Sequence, residues 1–204
     1  MNDEHERDAV DLVARDTSAD TLSSNSSTHS YRWNAVLNGK EITVVTSPSR
    51  RLVDLLRHDL QMTGTKVSCE IGRCGACMVL VDGQPLNSCL LMAYQCEGKS
   101  ITTIEGIGST ALPSFEEDPL AGVDPVQAAF LEEGGFQCGY CTPGMILSTK
   151  ALLDNHPHPT RQQIEEGLCG NLCRCTGYGA IIRSVERAIV HCDERDLSTN
   201  QGIK

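Results

Sequence analysis

The stretch CEIGRCGACMVL, residues 69–80, puts three cysteines within nine residues, with Gly72 and Gly75 among them and an apolar run behind. The chain has 11 cysteines in 204 residues. Sulfur at that density means a disulfide framework or a set of metal ligands. The compartment separates the two. The N-terminus, MNDEHERDAVDLVARDTSADTLSSNSSTHS, has no basic stretch leading into an apolar one and no paired arginines of the twin-arginine kind. Arg50 and Arg51 lie inside the expected first domain, with no apolar stretch after them. No run of apolar residues reaches the ~18 that a membrane span needs. The expectation is a reducing cytoplasm, where structural disulfides are rare and thiols more often bind metal. Aromatic residues make up only 4% of the chain. Small domains so built often need metal or covalent staples. The net charge, 17 − 27 = −10, disfavours nucleic acid, because phosphate binding needs a positive field.

Residues 1–30 are polar and acidic and read as a disordered extension. From Tyr31 the pattern changes. Two β-prone runs flank Asn38-Gly39, a hairpin signal of the I′ type. SRRLVDLLRHDL follows as a helix with Leu52, Leu55, Leu56 and Leu60 on one face. After the cysteine loop, MVLVDGQPLNSCL makes two short strands joined at Asp82-Gly83, and SITTIEG a final strand. Hairpin, helix, loop and strand pair describe a small α+β domain over 31–105. Residues 106–123 mix Gly, Pro and acidic residues as a linker. Four helical segments fill 124–195, and 196–204 form a tail. The first has Asp124 as N-cap and Pro125 at the first helical position. The second starts at Thr142-Pro143 and stops before Pro157 and Pro159. The third opens with a capping box, Thr160 with Gln163. The fourth places Ile181, Val185, Ala188 and Ile189 on one face. Four short helices with cysteines in their loops suggest a compact bundle.

Two four-cysteine sets stand out. Cys69, Cys74, Cys77 and Cys89 have the spacing C-x4-C-x2-C-x11-C. The front of this matches the plant-type ferredoxin loop, which holds a [2Fe–2S] cluster through four thiolates. Gly72 and Gly75 allow positive φ and close approach, so that backbone N–H groups can turn toward sulfur. The turn at Asp82-Gly83 returns Cys89 toward the loop. A zinc site uses four cysteines in other pairings. A redox C-x-x-C at Cys74 and Cys77 leaves Cys69 and the glycines unexplained. The second set is Cys138 and Cys141 in QCGYCTPG, with Cys173 and Cys175 in GNLCRCTGY. Each pair lies before or at a helix start, where unpaired N–H groups and the helix dipole favour an anion. Zinc remains an alternative for this set alone, although C-x-C is uncommon for zinc. Beside the first set, iron–sulfur is preferred.

CEIGRCGAC, NSCL, FQCGYCTPGMI and GNLCRCTGY together resemble the iron–sulfur subunit of the molybdenum hydroxylases, the xanthine oxidase and aldehyde oxidoreductase family. The resemblance covers residues 31–192. It implies a β-grasp ferredoxin-like domain followed by a four-helix bundle, each holding one [2Fe–2S] cluster. It implies partners as well: a large subunit with molybdopterin and, where present, a medium subunit with FAD. Electrons then pass from molybdenum through both clusters to flavin or another acceptor. By the same match, Gln137 contacts the pterin and Cys175 ligates the iron nearest to it. Xanthine or another purine is the substrate expected from the family's range, with aldehydes and N-heteroaromatics as alternatives. A free-standing two-cluster ferredoxin and a zinc-stabilised interaction module are the competing readings.

The remaining residues carry less. Cys96, Cys169 and Cys192 fall outside the motifs and read as packing or idle thiols. His156 and His158 sit in a proline-rich turn and read as solvated. The Glu pairs 116–117, 132–133 and 165–166 read as solvated faces or linker charge. No Ser-His-Asp set, phosphate-binding glycine loop or paired catalytic acids appears, so no substrate site is expected in this chain.

Overall fold

Asn38 and Gly39 both take positive φ, 50° and 79°, as a type I′ turn requires. In the computed structural model they join β2 (Tyr31–Leu37) to β3 (Lys40–Thr46) in the expected hairpin. Asp82 and Gly83, at φ 50° and 78°, do the same for β4 (Met78–Val81) and β5 (Gln84–Asn87). The structure describes residues 10–12, 30–108 and 123–201. Within these, β6 (Ser100–Thr102) lies between β2 and β4, parallel to the first and antiparallel to the second. β1 (Val10–Leu12) pairs parallel with β3, which gives a mixed sheet in the order β1-β3-β2-β6-β4-β5.

β1 departs from the expectation of disorder over 1–30. The edge of β3 carries unpaired backbone groups, and three residues of the extension satisfy them. The rest of the extension, residues 109–122 of the expected linker, and 202–204 lie outside the described residues.

The first core forms under the sheet. Along β2 the period-2 alternation buries Trp33, Ala35 and Leu37. The short helix α1 (Leu52–Asp54) continues as a π-helical turn over Leu55–Asp59. Together they supply Leu52, Leu55 and Leu56, with Leu60 partly buried beside them.

Four helices follow: α2 (Pro125–Glu132), α3 (Thr142–Asn155), α4 (Arg161–Leu168) and α5 (Gly179–Gln201). Asp124 caps α2 by accepting from Val126 N at 2.9 Å. Thr160 and Gln163 form the capping box of α4. The second core takes Val126 and Phe130 from α2, Met145 from α3, Ile164 from α4, and Ile181 and Val185 from α5. α5 runs to Gln201, past residue 195, where the helical part was expected to give way to a tail. No proline or glycine interrupts it before Gly202.

β4 joins the two halves. All four of its residues are buried. Val79 and Val81 enter the first core, while Met78 and Leu80 pack on Leu147 and Ala151 of α3. A strand covered on both faces reads as an unbroken apolar run, as MVLV does. Burial of Met78 and Leu80 contributes about 1.5–3 kcal/mol each. No helix among the described residues is long and apolar enough to cross a membrane.

Candidate metal centres

The first cysteine loop leaves Val67 and turns through Glu70, Gly72 and Gly75, all at positive φ. Arg51 braces it, with Nη1 2.6 Å from Glu70 and Nε 2.7 Å from Asp54. The turn directs backbone N–H groups at sulfur: Arg73 N donates to Cys69 Sγ at 3.4 Å. Such donors, Ile71 N–H foremost, draw the Cys69 thiol down to about 6. Cys69 and Cys74 share a side-chain hydrogen bond. Cys77 and Cys89 form the other pair, buried beside Val53 and Val67. Burial pushes the Cys77 thiol up to about 12. Asn87 closes the loop by donating to Gly72 O at 3.1 Å.

The second set pairs in the same way. Cys138 and Cys175, both exposed, have their sulfurs 3.6 Å apart. Two thiolates at ~2.3 Å from one tetrahedral metal stand ~3.8 Å apart, so this spacing suits a shared metal. Cys141 and Cys173, half-buried, share a side-chain hydrogen bond, and burial lifts the Cys141 thiol to about 12. At Cys173 burial acts upward but is outweighed by hydrogen bonds from Thr176 and the Cys175 backbone, which leave the thiol below its ordinary value. Cys141 is the N-cap of α3, so the Cys138–Cys141 pair meets a helix start, as expected, while Cys173 and Cys175 precede α5, which begins at Gly179.

The sulfurs therefore stand two by two. Among the described residues no three His, Cys, Asp or Glu side chains group as a single ion would require. A [2Fe–2S] centre takes two ligands on each of two irons, and close sulfur pairs such as Cys138–Cys175 at 3.6 Å suit that demand. The donor chemistry and the pairing both fit such a centre in each loop. A cavity of about 580 Å³ lies between the sets, lined by Cys69, Cys74, Cys138, Cys141, Cys173 and Cys175. Gln137, beside Cys138, is exposed.

The leftover groups stay apart. Cys96 is buried in the first core, Cys192 packs half-buried on the second, and Cys169 is exposed at the end of α4. His158 stands 3.8 Å from Asp193, Glu132 pairs with Arg187, and Glu165 with Arg161. Glu116 and Glu117 lie outside the described residues.

Three contacts went unread in the sequence. Tyr140 donates its hydroxyl to Val67 O and ties the second loop to the first. Asn171, 2% exposed, accepts from Ser148 Oγ at 2.8 Å. Thr176 donates to Cys173 Sγ at 3.1 Å. Tyr140 and Thr176 stand inside the quoted cysteine motifs, and Asn171 does too, but only the fold reveals their partners.

Comparison with known proteins agrees with this geometry. Residues 35–101 match the family described as "2Fe-2S iron-sulfur cluster binding domain", and 103–186 the one described as "[2Fe-2S] binding domain". A probable xanthine dehydrogenase subunit of Bacillus subtilis is 55% identical over 76% of this chain and 84% of its own length. The nicotinate dehydrogenase small FeS subunit of Eubacterium barkeri is 45% identical over 78% of this chain and 95% of its own. Among solved structures, a chain of quinoline 2-oxidoreductase from Pseudomonas putida 86 superposes with a TM-score of 0.72 at 38% identity, covering 81% of this chain and 97% of that one. With both cluster-domain families matched in order and relatives of this identity covered nearly end to end, the chain belongs to the iron–sulfur electron-transfer subunits of the molybdenum hydroxylases, the xanthine dehydrogenase and aldehyde oxidoreductase family.

Proposed function

We propose that this chain holds two [2Fe–2S] clusters in series and relays electrons within a cytoplasmic, heteromeric molybdenum hydroxylase. Cys69, Cys74, Cys77 and Cys89 ligate the first, in a β-grasp domain over residues 31–105. Cys138, Cys141, Cys173 and Cys175 ligate the second, in a four-helix bundle over 124–195. The observation that carries this reading is that each four-cysteine set falls within a segment matching a [2Fe–2S]-binding family, with the Cys138 and Cys175 sulfurs 3.6 Å apart in the second. A [2Fe–2S] centre in each supplies one-electron chemistry at a potential set by its surroundings.

The chain's own part is to hold, orient and connect. Backbone N–H groups turned at sulfur stabilise the anionic ligands. Exposed Cys138, Cys175 and Gln137 form the side that meets a large molybdopterin subunit, with Gln137 as its pterin contact. The first loop serves a medium FAD subunit or another acceptor. The substrate pocket belongs to the large subunit. Identity to the subunit named for xanthine dehydrogenase favours a purine such as xanthine, with aldehydes or N-heteroaromatics as alternatives.

The test is co-purification with the neighbouring subunits, followed by metal analysis and electron paramagnetic resonance. About four irons and four sulfides per chain, with two distinct signals after reduction, are expected for two such clusters. Cys89→Ser is expected to lose only one signal and Cys138→Ser only the other. A single signal in the unaltered complex, or a colourless zinc protein, overturns the reading. A stable red-brown chain that never associates points instead to a free ferredoxin.

A further inference from the structure

Cys173 sits in a closed ring of hydrogen bonds. Its backbone N–H donates to the Tyr178 hydroxyl oxygen at 2.9 Å. Tyr178 N–H donates to Thr176 Oγ1 at 3.2 Å. Thr176 Oγ1 donates to Cys173 Sγ at 3.1 Å. A threonine hydroxyl has one proton and two lone pairs. With one lone pair taken by Tyr178 N–H, the proton is aimed at sulfur by the chain itself. The backbone is bent to allow this: Gly177 and Tyr178 lie at φ 62° and 67°. That region is unfavourable for a tyrosine, and it occurs where the ring closes.

We propose that Thr176 is a positioning residue that sets the potential of the second cluster by holding its hydroxyl proton on the Cys173 sulfur. This rests on the reading of Cys173 as a ligand. A ligating thiolate has no proton and only accepts, so the O–H···S direction is the sole one open to the pair. A hydrogen bond to an ionised acceptor is stronger than a neutral one, and it strengthens as negative charge on the sulfur grows. It therefore stabilises the reduced state more than the oxidised and raises the potential. The first set differs. Its sulfurs are held by their own donors, backbone N–H groups at Cys69, with Arg73 N at 3.4 Å, and the Ser88 hydroxyl at Cys77, none of which Thr176 touches. The first centre is thus an internal control.

The test is a redox titration of the assembled complex in which both paramagnetic signals are followed. Thr176→Val keeps the shape and removes the hydroxyl. It is expected to lower the reduction equilibrium of the second centre about tenfold, equivalent to about 59 mV for one electron. The first centre is expected to stay in place, and Thr176→Ser to restore the original value. A Val variant that titrates like the unaltered protein overturns the proposal, as does a Ser variant shifted as far as Val. If Val does not load, Thr176→Ala removes the hydroxyl without adding bulk. Failure of both to load while Ser loads assigns the hydroxyl to assembly and also overturns the proposal. Cys173→Ser tests the underlying reading separately: an unchanged second signal there removes Cys173 from the ligands. An unshifted potential in Thr176→Val with both signals present removes only the role of Thr176.

Discussion

The backbone N–H of Leu172 donates to the carbonyl of Cys74 at 2.9 Å, so the two cysteine loops are bonded to each other directly. Leu172 adjoins Cys173, and Cys74 is itself in the first set. Around this bond the backbones approach closely, with the Asn171 side chain packed against both glycines. A Cβ on Gly144 would stand 2.1 Å from Gly75 O, and one on Gly75 would stand 2.5 Å from Asn171 Nδ2. The seam brings the two sets close while each keeps its own core.

Gly144→Ala is the sharpest probe of this seam. Alanine is the better helix former by about 1 kcal/mol. The clash, however, is with backbone oxygen, which cannot swing away, and overpacking costs about 1–3 kcal/mol. At 2.1 Å from a backbone oxygen the cost belongs in the upper half of that range, so the clash should win, for a net loss of about 1–2 kcal/mol in urea unfolding. Equal or greater stability would mean that α3 and the first loop do not meet as described.

Tyr140→Phe tests the seam from another side. Tyr140 lies between Cys138 and Cys141, yet its hydroxyl bonds to Val67 O, in the approach to Cys69. Val67 packs on Cys77 and Cys89. Loss of the bond is expected to cost about 0.5–1 kcal/mol, the low end because Tyr140 is half exposed and water can replace it. The paramagnetic signal of the first centre is expected to broaden although the substitution is in the second loop. A change confined to the second signal would contradict this.

Much of this was legible beforehand because it is local. Asn38-Gly39 and Asp82-Gly83 impose their turns whatever surrounds them, and Thr160 with Gln163 starts α4 through contacts three residues apart. The eight motif cysteines could be picked out by spacing for the same reason. What was missed is long-range. Nothing in MVLV says that Met78 and Leu80 meet Leu147 and Ala151, some seventy residues on. Nothing in GYC says that the tyrosine reaches Val67. β1 went unread because three residues carry too little periodicity, and their pairing depends on the edge that β3 leaves open.

That edge gives a third prediction. Removing residues 1–29 deletes β1 and leaves the β3 backbone unpaired on one side. β1 pairs only three residues, Val10–Leu12, with β3, so the melting temperature is expected to change little. Amides of β3 that face β1 are expected to exchange faster with solvent. Self-association at high concentration is expected through the bare edge. Unchanged exchange along β3 would show that β1 does not cover it in solution.

Asp124 gives a pH dependence whose sign is set by burial. Burial raises its carboxyl above the usual range, against the pull of the Val126 N–H, Lys150 and Arg195. A carboxyl raised on folding stabilises fully below its unfolded value, and that contribution is lost as pH rises through the folded value. At neutral pH the ionised Asp124 is therefore a net burden that its capping bond only partly offsets. Asp124→Asn keeps an oxygen for Val126 N–H and removes the charge. It is expected to be more stable than the unaltered protein at pH 7, with the gap closing as pH falls to about 4. Asp124→Ala removes the cap itself and is expected to lose about 1 kcal/mol relative to Asn. Urea midpoints across this range decide the matter: a gap that widens toward acid would mean the carboxylate is favoured in the fold, with Lys150 and Arg195 outweighing burial.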